Sequence, residues 1–265
     1  MDYLNRSFTH FNAFLYKNWI MARRNFFTIF EMMFWPFYAL ISIGLMTLFL
    51  ELSPEKVAFV LIGTIALSTI QICQIDIAYV LLLDVWSKSI KQTLLAPVDA
   101  LHLSLGGWFV GVIRGLLVFV FLSLFSYFAF GFDFLRPGIL RLTIFLFGLF
   151  IMGAIVGNIV CILLLLFGQR AEVAAWSLAG LFMLICGIYY PSSILPAPLF
   201  YLSQLIPLTY FLDYFRVFYG IGKVIPFHIL KGYFLLVVYF AGSILGYELC
   251  LRKAKRSGML LRLSE

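Results

Sequence analysis

Three charged side chains interrupt long apolar stretches of the sequence: Glu31, Asp76 and Arg114. A charge inside an apolar segment is expensive, so such residues usually pair with one another or carry a function such as proton transfer. Two carboxylates and one guanidinium can form an ion-pair cluster, and the same groups can relay protons. We expect the ion-pair cluster, because pairing alone explains how these charges remain in apolar surroundings.

The sequence lacks the usual motifs of nucleotide binding and hydrolysis. No GxxxxGK[ST] loop is present, and the sequence GIGK at 220–223 lacks its spacing. The histidines are scattered, and neither GxSxG nor HExxH occurs. No two cysteines form a CxxC pair, which argues against a metal site and a disulfide framework. We therefore expect a chain that is not an enzyme and binds no metal or cofactor of its own.

The composition indicates that lipid surrounds most of the chain. Of its 265 residues 63% are hydrophobic and only 12% are charged, and the mean hydropathy is +1.04. Ordinary globular domains are about half apolar and a quarter charged. The net charge of +7 is spread between apolar runs, where topology and lipid headgroups explain it better than nucleic acid does. The sequence predicts a polytopic membrane protein.

Several apolar runs have the roughly 20 residues that a helix needs to cross a bilayer. We place six spans near 26–50, 57–83, 103–131, 139–167, 173–190 and 228–250. Six spans leave both termini on the same side, and Lys and Arg are more numerous there than on the other side. The positive-inside rule then predicts cytoplasmic termini in a multi-pass protein of the plasma or inner membrane. The predicted fold class is an all-α membrane protein with a single domain over 1–265.

Residues 1–25 have the pattern of an amphipathic helix. At 100° per residue, Arg6, His10, Lys17 and Arg24 fall along one stripe, and aromatic and aliphatic residues occupy the opposite face. Such a helix lies in the membrane interface with its cations among the lipid headgroups. A basic start to the first span is the alternative, and the regular stripe favours the interfacial helix.

A proline-rich but strongly apolar segment, 191–222, separates the fifth span from the sixth. Its two apolar pieces, near 197–205 and 208–219, are each too short to cross a bilayer. Prolines do little harm at the starts of short helices, where the missing N–H has no helical partner. We expect a re-entrant helical hairpin that enters from the outer face, with an outer loop as the alternative. Asp213 and Arg216 are expected to pair on its return arm.

Two segments resemble parts of a known family. Residues 187–216 read GIYYPSSILPAPLFYLSQLIPLTYFLDYFR and resemble the segment before the last span of ABC-2-type permeases, the membrane subunits of a class of ATP-driven exporters. The residues at matching places are Pro191, Pro196, Pro207, Leu208, Thr209, Tyr210 and Arg216. Residues 84–115 read DVWSKSIKQTLLAPVDALHLSLGGWFVGVIRG and resemble the cytoplasmic segment of the same family. The resemblance covers the full six-span layout, and it is more specific with both motifs present than with either one alone.

The resemblance implies a fold, a set of partners and a function. The fold is an interfacial N-terminal helix, six transmembrane helices and a re-entrant hairpin. The partners are a second copy of the chain or a related permease, two copies of an ATPase that binds ATP and Mg, and membrane lipids. The function is outward transport of a hydrophobic or amphipathic molecule, such as a lipid, a lipid-linked glycan or a drug.

A secondary transporter that works without an ATPase is the alternative function. Broken helices near a substrate site are typical of such transporters, which are often built from inverted repeats. An inverted repeat would produce two broken segments, one in each half of the chain. Only the second half has one, which favours the exporter.

The chain has no nucleotide-binding loop, so if transport is driven by ATP a separate subunit must hydrolyse it. The segment 84–97 is the longest inner connection and the natural contact for that subunit. We predict a cytoplasmic coupling helix there, which Pro97 ends. Its apolar face comprises Trp86, Ile90, Leu94 and Leu95, with Lys88 and Lys91 at the polar edge. The alternative, a solvated loop, needs no apolar stripe.

Glycines recur four residues apart in three of the predicted spans. They are Gly107, Gly111 and Gly115 in the third, Gly153 and Gly157 in the fourth, and Gly242 and Gly246 in the sixth. This spacing allows close contact between helices. We expect packing within one subunit, with a seam between two copies as the alternative.

Overall fold

The computed structural model describes residues 12–13, 15–20, 26–95, 99–222 and 226–256. Within these ranges the chain is mostly α-helical and contains no β-strand. The helices are α1 (Phe26–Phe49), α2 (Pro54–Trp86), α3 (Ile90–Leu95), α4 (Ala100–Phe130), α5 (Ile139–Phe167), α6 (Glu172–Ile185), α7 (Ala197–Leu205), α8 (Pro207–Arg216) and α9 (His228–Arg256). Short 3-10 turns occupy Gly168–Ala171, Ser192–Ile194 and Val217–Tyr219.

The long helices run alternately between two ends of a bundle. At one end, which we call the basic end, the backbone N–H of Ala100 donates to Glu248 Oε2 at 2.9 Å and so joins the start of α4 to the last turns of α9. At the opposite end, the proline end, the hydroxyl of Tyr219 donates to the carbonyl of Asp133 at 2.7 Å. The proline end therefore holds both the α4–α5 connection and the segment 191–222.

Helix α2 lies at the centre of the bundle, with α4 and α5 packed closely against it. A Cβ built on Gly107 would lie 2.9 Å from Ile77 Cα. A Cβ built on Gly111 would lie 3.0 Å from Cys73 Cα, and one on Gly153 2.9 Å from Cys73 Cβ. The glycine faces of α4 and α5 thus seat the backbone of α2, so the expected small-residue packing occurs within one chain for these two helices. For Gly242 of α9 it does not, since nothing lies within 4 Å of a Cβ built there.

Five helices of the described residues are long and apolar enough to cross a membrane: α1, α2, α4, α5 and α9. The outer helices expose many large apolar side chains, including Phe49, Phe128 and Val237. Water does not suit a surface of this extent, whereas lipid does. The chain is a multi-pass membrane protein.

Helix α6 is shorter than the predicted span at 173–190. Its 14 residues rise about 21 Å, less than the roughly 30 Å of a hydrocarbon core. The helix ends because Gly187 adopts a left-handed conformation, with φ of +70° just after Cys186. From there to Pro191 the backbone is not helical.

The sequence predicted one helix over 84–97, and this prediction is wrong. Residues 84–95 comprise the end of α2, a turn and the short helix α3. Lys88 is left-handed with φ of +57°. The N–H of Ser89 donates to the carbonyl of Asp84 at 2.8 Å, and that of Lys88 to Val85 at 3.1 Å. This pair of hydrogen bonds is the Schellman arrangement that ends helices. Asp84 and Trp86 therefore belong to the membrane helix α2, and α3 is a separate six-residue helix.

Candidate functional site

The main candidate site is a groove that runs along α2 between α1 and α6. Side chains of α2 from Ala58 to Val85 are buried except for one stripe at four-residue intervals. These residues are Leu67, Gln71, Ile75, Tyr79 and Leu83. All but the last line a cavity of about 360 Å³. That volume is in the range of small-molecule sites, so the single accessible face of the central helix forms the floor of the groove.

Aromatic side chains form the walls of the groove. Trp35 and Tyr38 of α1 are in edge-to-face contact, with ring centroids 6.3 Å apart. Trp176 of α6 lies on the opposite wall, and Tyr189 closes the groove toward the proline end. Trp35 and Tyr38 are both more than half exposed, so the groove is open at the flank of the bundle. Rings with one polar atom suit the boundary between an apolar and a polar part of a ligand.

A buried ion pair lies in the groove wall. Arg114 of α4 donates from Nη1 to Asp76 Oδ1 of α2, and from Nε to Met32 Sδ of α1 at 3.0 Å. The carboxyl is 5% exposed, and no donor of the described residues reaches its second oxygen, Oδ2. The expected ion pair is present between Asp76 and Arg114. Glu31 belongs to α1, and its side chain lies outside the described part of the chain.

Arg216, at the end of α8, is buried and binds the backbone that follows α6. Its Nη1 donates to the carbonyl of Gly187 at 2.6 Å, and its Nη2 to those of Ile188 at 2.9 Å and Phe59 at 3.0 Å. The guanidinium also stacks on the Phe59 ring, with Cζ 3.4 Å from the centroid. Arg216 thus satisfies carbonyls that the end of α6 leaves without helical partners.

Gly63 of α2 permits this arrangement. A Cβ built on Gly63 would lie 2.1 Å from the carbonyl oxygen of Ile188 and 3.0 Å from Nη2 of Arg216. Gly63 is two to three turns inside α2, about 14 Å from its first residue. The non-helical backbone after α6 therefore lies inside the bundle and not on its surface.

The prolines of the segment 191–222 stand at helix starts, as predicted. Pro191 precedes the first 3-10 turn, Pro196 precedes α7, and Pro207 is the first residue of α8. Ile206, with φ of −96° and ψ of 120°, is the single non-helical residue between α7 and α8. The missing N–H groups thus fall where no helical acceptor is available.

Two hydroxyl groups fasten α8 to α7. Thr209 Oγ1 donates to the carbonyl of Ser203 at 2.8 Å. The hydroxyl of Tyr210 donates to the carbonyl of Gln204 at 2.7 Å. The free carbonyls at the end of α7 therefore have partners although no helix continues there.

Helix α8 runs from inside the bundle toward the proline end. Near its start, a Cβ built on Gly148 of α5 would lie 2.5 Å from the Phe211 ring. Near its end, Phe215 stacks on Phe145, with centroids 4.3 Å apart. Because α5 begins at the proline end, Gly148 is deeper than Phe145. Phe211 therefore lies deeper in the bundle than Phe215, which sets the direction of α8.

Asp213 pairs with His228 and not with Arg216, so the predicted pair on the return arm is wrong. Asp213 Oδ2 lies 3.6 Å from His228 Nε2, and its side chain is 45% exposed. Arg216 turns the other way because the free carbonyls are inside the bundle. Partial burial raises the pKa of the Asp213 carboxyl above its ordinary value, against the opposing charges of Arg216 and His228.

Part of the predicted coupling face is exposed at the basic end. Trp86 is 43% exposed and Leu95 83%, and Lys88 is also exposed. The indole N–H of Trp86 donates to Glu172 Oε2 at 3.2 Å, which joins α2 to the start of α6. These side chains are available to a partner.

The other members of the predicted coupling face are placed differently. Ile90 is 1% exposed and packs into the hydrophobic core, which corrects its assignment to a docking surface. Because a turn separates α2 from α3, Ile90 does not share a helix face with Trp86. Lys91 is half-buried, and the side chain of Leu94 lies outside the described residues.

Lys17, in the helical stretch 15–20 before α1, joins that stretch to the basic end. Its Nζ lies 2.7 and 2.6 Å from the two oxygens of Asp84 and 3.2 Å from Thr93 Oγ1. Asp84 is 1% exposed and also accepts from Ser89 Oγ at 3.1 Å. Lys17 therefore has a carboxylate partner within the chain, which the sequence did not predict. The other three cations of the predicted stripe lie outside the described residues.

The described residues hold no group of three or more His, Cys, Asp or Glu side chains that could bind a metal ion. The buried thiol of Cys73 donates to the Phe150 carbonyl at 3.7 Å, and that of Cys161 to Ile77 at 3.5 Å. The groups that line the groove can bind a ligand through charge, hydrogen bonds and aromatic contact.

Comparison with known proteins finds one partial relative and no family model that matches the sequence. A 55-residue stretch, 21% of this chain, is 46% identical to an uncharacterized protein of Archaeoglobus fulgidus and covers 86% of that protein. Over this stretch the two proteins belong to the same family. The relative's name states no activity.

Proposed function

We propose that this chain is the membrane-spanning permease subunit of an ATP-driven exporter. It moves a hydrophobic or amphipathic molecule outward, while a separate subunit binds ATP and Mg and hydrolyses the nucleotide. The observation that carries the proposal is the groove on α2. A protein with a purely structural role has no use for a groove that opens at the flank of an apolar bundle and holds an amide in its floor and an ion pair in its wall.

The groove suits a substrate that arrives from the lipid. Its polar groups, Gln71 and the Asp76–Arg114 pair, lie behind exposed rings of Trp35 and Tyr38. A molecule with an apolar body can pass those rings without first dissolving in water. Ligand pockets with mostly apolar walls and a few convergent polar groups are typical binding sites.

The broken segment fits the re-entrant hairpin of the proposal, with α6 as a sixth, incomplete span. In the proposed hairpin α7 is the inward arm and α8 the return arm, and the course of α8 along α5, from Gly148 toward Phe145, supports this assignment. Irregular backbone at membrane depth is tolerated where protein satisfies it, and Arg216 supplies the donors. In this arrangement both termini are cytoplasmic and the proline end faces outward.

The basic end is the proposed docking surface for the ATPase. Trp86 and Leu95 are exposed there beside Lys88. Lys17 and Asp84 link the N-terminal helix, α2 and, through Thr93, α3, so a force on any of these elements reaches the helix that forms the groove floor. Two permease chains with two ATPase subunits would close the assembly symmetrically.

Co-expression with the ATPase encoded by a neighbouring gene tests the proposal. We expect a complex of two copies of each chain, and ATPase activity that an amphipathic substrate stimulates in nanodiscs. Trp86→Ala with Leu95→Ala should weaken the complex without unfolding the permease. The matched control is Tyr201→Ala with Leu202→Ala, which removes an exposed aromatic and an exposed leucine from the proline end.

Two results would contradict the proposal. A monomeric chain that transports in proteoliposomes without an ATPase is a secondary transporter. A complex that forms equally well with both double variants does not dock through the basic end.

A further inference from the structure

We propose that the groove binds amphipathic molecules that carry a hydrogen-donating ammonium group, and that Asp76 Oδ2 accepts that hydrogen bond. Binding to the groove requires no ATPase. That the bound molecule is also the exported one rests on the proposed function.

The first argument is the unused oxygen of a buried carboxylate. Arg114 donates to Oδ1 of Asp76 and to Met32 Sδ, while Oδ2 accepts no hydrogen bond from the described residues. A buried carboxylate oxygen without a donor is costly, and a native fold seldom retains one without a reason. An N–H of a ligand in the groove would supply the missing donor, because Asp76 lines the groove.

The second argument is the aromatic wall. Trp35, Tyr38 and Trp176 surround the groove in which Asp76 stands. Faces of such rings attract cations, and the attraction is strongest where water is excluded. A neutral ligand gains nothing from this arrangement beyond apolar contact. An anionic ligand would meet the free oxygen of Asp76, while Arg114 is already engaged by the ion pair.

The third argument is the apolar length of the groove. Its lining extends along α2 from Thr64 to Tyr79, about 22 Å of helix. Leu67 and Ile75 form the apolar part of this floor, and the amide of Gln71 makes no side-chain hydrogen bond among the described residues. The groove therefore accommodates an extended apolar chain next to one charged group and one free amide.

Equilibrium binding of radiolabelled dodecylamine to the chain in phosphatidylcholine nanodiscs tests the inference. Dodecanol and dodecanoate serve as competitors of equal chain length, one neutral and one anionic. We expect both to compete about tenfold more weakly than unlabelled dodecylamine. Dodecyltrimethylammonium keeps the charge but has no N–H. It should compete more weakly than dodecylamine and more strongly than dodecanol or dodecanoate.

Two variants locate the binding site. Asp76→Asn removes the negative charge at nearly constant shape and should weaken dodecylamine binding about tenfold. Gln71→Phe leaves the ion pair intact, fills the groove and should abolish binding, which keeps the inference testable if Asp76→Asn does not fold. Asp213→Asn removes a carboxylate from the proline end and should bind like the parent chain.

Equal competition by dodecanol or dodecanoate overturns the inference, and so does undiminished binding by Gln71→Phe. Nanodiscs that contain phosphatidylethanolamine identify the source of the ammonium group. If that lipid competes, the ligand is a lipid headgroup, and if it does not, the ligand is a free lipophilic amine. Failure of the ATPase complex to form would leave these binding results unchanged, so the two proposals fail separately.

Discussion

Two buried arginines of this protein are accommodated in different ways. Arg114 lies within the unbroken helix α4 and faces a carboxylate, Asp76, on the unbroken helix α2. Arg216 lies at the end of the short helix α8, and its hydrogen bonds within the described part of the chain go to the backbone carbonyls of Gly187, Ile188 and Phe59. Both side chains are largely removed from solvent. One site therefore neutralises the charge, and the other disperses it over dipoles.

The difference follows from the state of the neighbouring backbone. In a continuous helix the internal carbonyls already accept an N–H, so a buried cation depends mainly on a side-chain acceptor, although a carbonyl such as that of Phe59 can accept a second donor. Where a helix is broken, free carbonyls remain, and these require donors as much as the cation requires acceptors. A broken segment and a buried arginine thus stabilise each other without a counter-ion.

Removal of the Arg114 side chain should have the largest effect on stability. Arg114→Met leaves the buried carboxylate of Asp76 without its cation, which typically costs about 3–5 kcal/mol. Arg114→Met with Asp76→Leu should recover most of that loss, because the buried charge disappears with its partner. Thermal unfolding in detergent, followed by size-exclusion chromatography, measures both. Equal stability of the single and double variants would contradict the ion-pair description.

Removal of the Arg216 side chain should have the next largest effect. Arg216→Met leaves the carbonyls of Gly187 and Ile188 without donors, and we expect a loss of about 2–4 kcal/mol. Arg216→Lys keeps the charge but not the planar fork, so it should recover only part of that loss. Arg252→Met, at a side chain that is 66% exposed, is the matched control and should change stability by less than about 0.5 kcal/mol.

No change of a carboxylate should rescue Arg216→Met, in contrast to Arg114→Met. The same thermal assay applied to Arg216→Met with Asp213→Asn tests this. Rescue by the second substitution would mean that Asp213, and not the backbone, is the partner of Arg216.

Gly63→Ala should separate α2 from the broken segment. The loss of stability should be smaller than that from Arg114→Met or Arg216→Met. The new Cβ would lie 2.1 Å from the Ile188 carbonyl oxygen, which is backbone and cannot move alone. Overpacking of this kind costs about 1–3 kcal/mol. Gly242→Ala in α9 is the control, since nothing lies within 4 Å of a Cβ there. We expect the control to be neutral or slightly stabilising, because alanine favours helix over glycine.

The helices could be predicted from the sequence because lipid imposes a simple rule on them. Apolar runs of span length became α1, α2, α4, α5 and α9, with ends within several residues of the prediction. The rule predicted a fifth span that was too long, because hydropathy carries no information about the left-handed conformation of Gly187, which ends α6. The break after Trp86 was missed for the same reason, because a left-handed lysine leaves no compositional signal.

The groove and the charge partners were harder to predict. Asp76 and Arg114 were found because charges stand out in apolar runs. The groove floor was missed, although its signal was present as a four-residue period of Leu67, Gln71, Ile75 and Tyr79. The partners of Arg216 were not predictable, because carbonyls belong to every residue and the sequence does not mark the free ones.

The partner of Lys17 was missed for a related reason. Asp84 is 67 positions away, and no local pattern joins a cation in an interfacial helix to a carboxylate at the end of a membrane helix. Pairings of this kind depend on how complete helices pack. They can be read only once the ends of those helices have been located in three dimensions.

Asp213→Asn should have the smallest effect and so gives the sharpest test of the comparison. Asp213 is three residues before Arg216 and would be its ion-pair partner by spacing alone, yet it faces His228 at 3.6 Å with its side chain 45% exposed. Exposed pairs of this kind contribute less than about 0.5 kcal/mol.

The raised pKa of Asp213 also indicates that its ionised carboxylate contributes little to stability. Because the folded protein holds this proton more tightly than the unfolded chain, stability falls as the pH rises through the window above 3.8, so the ionised carboxylate does not stabilise the fold at neutral pH. Asp213→Asn should therefore melt with the parent protein at pH 7, whereas Asp76→Asn should melt earlier because the buried Arg114 loses its charged acceptor. A loss from Asp213→Asn as large as that from Asp76→Asn would show that Arg216, too, depends on a carboxylate.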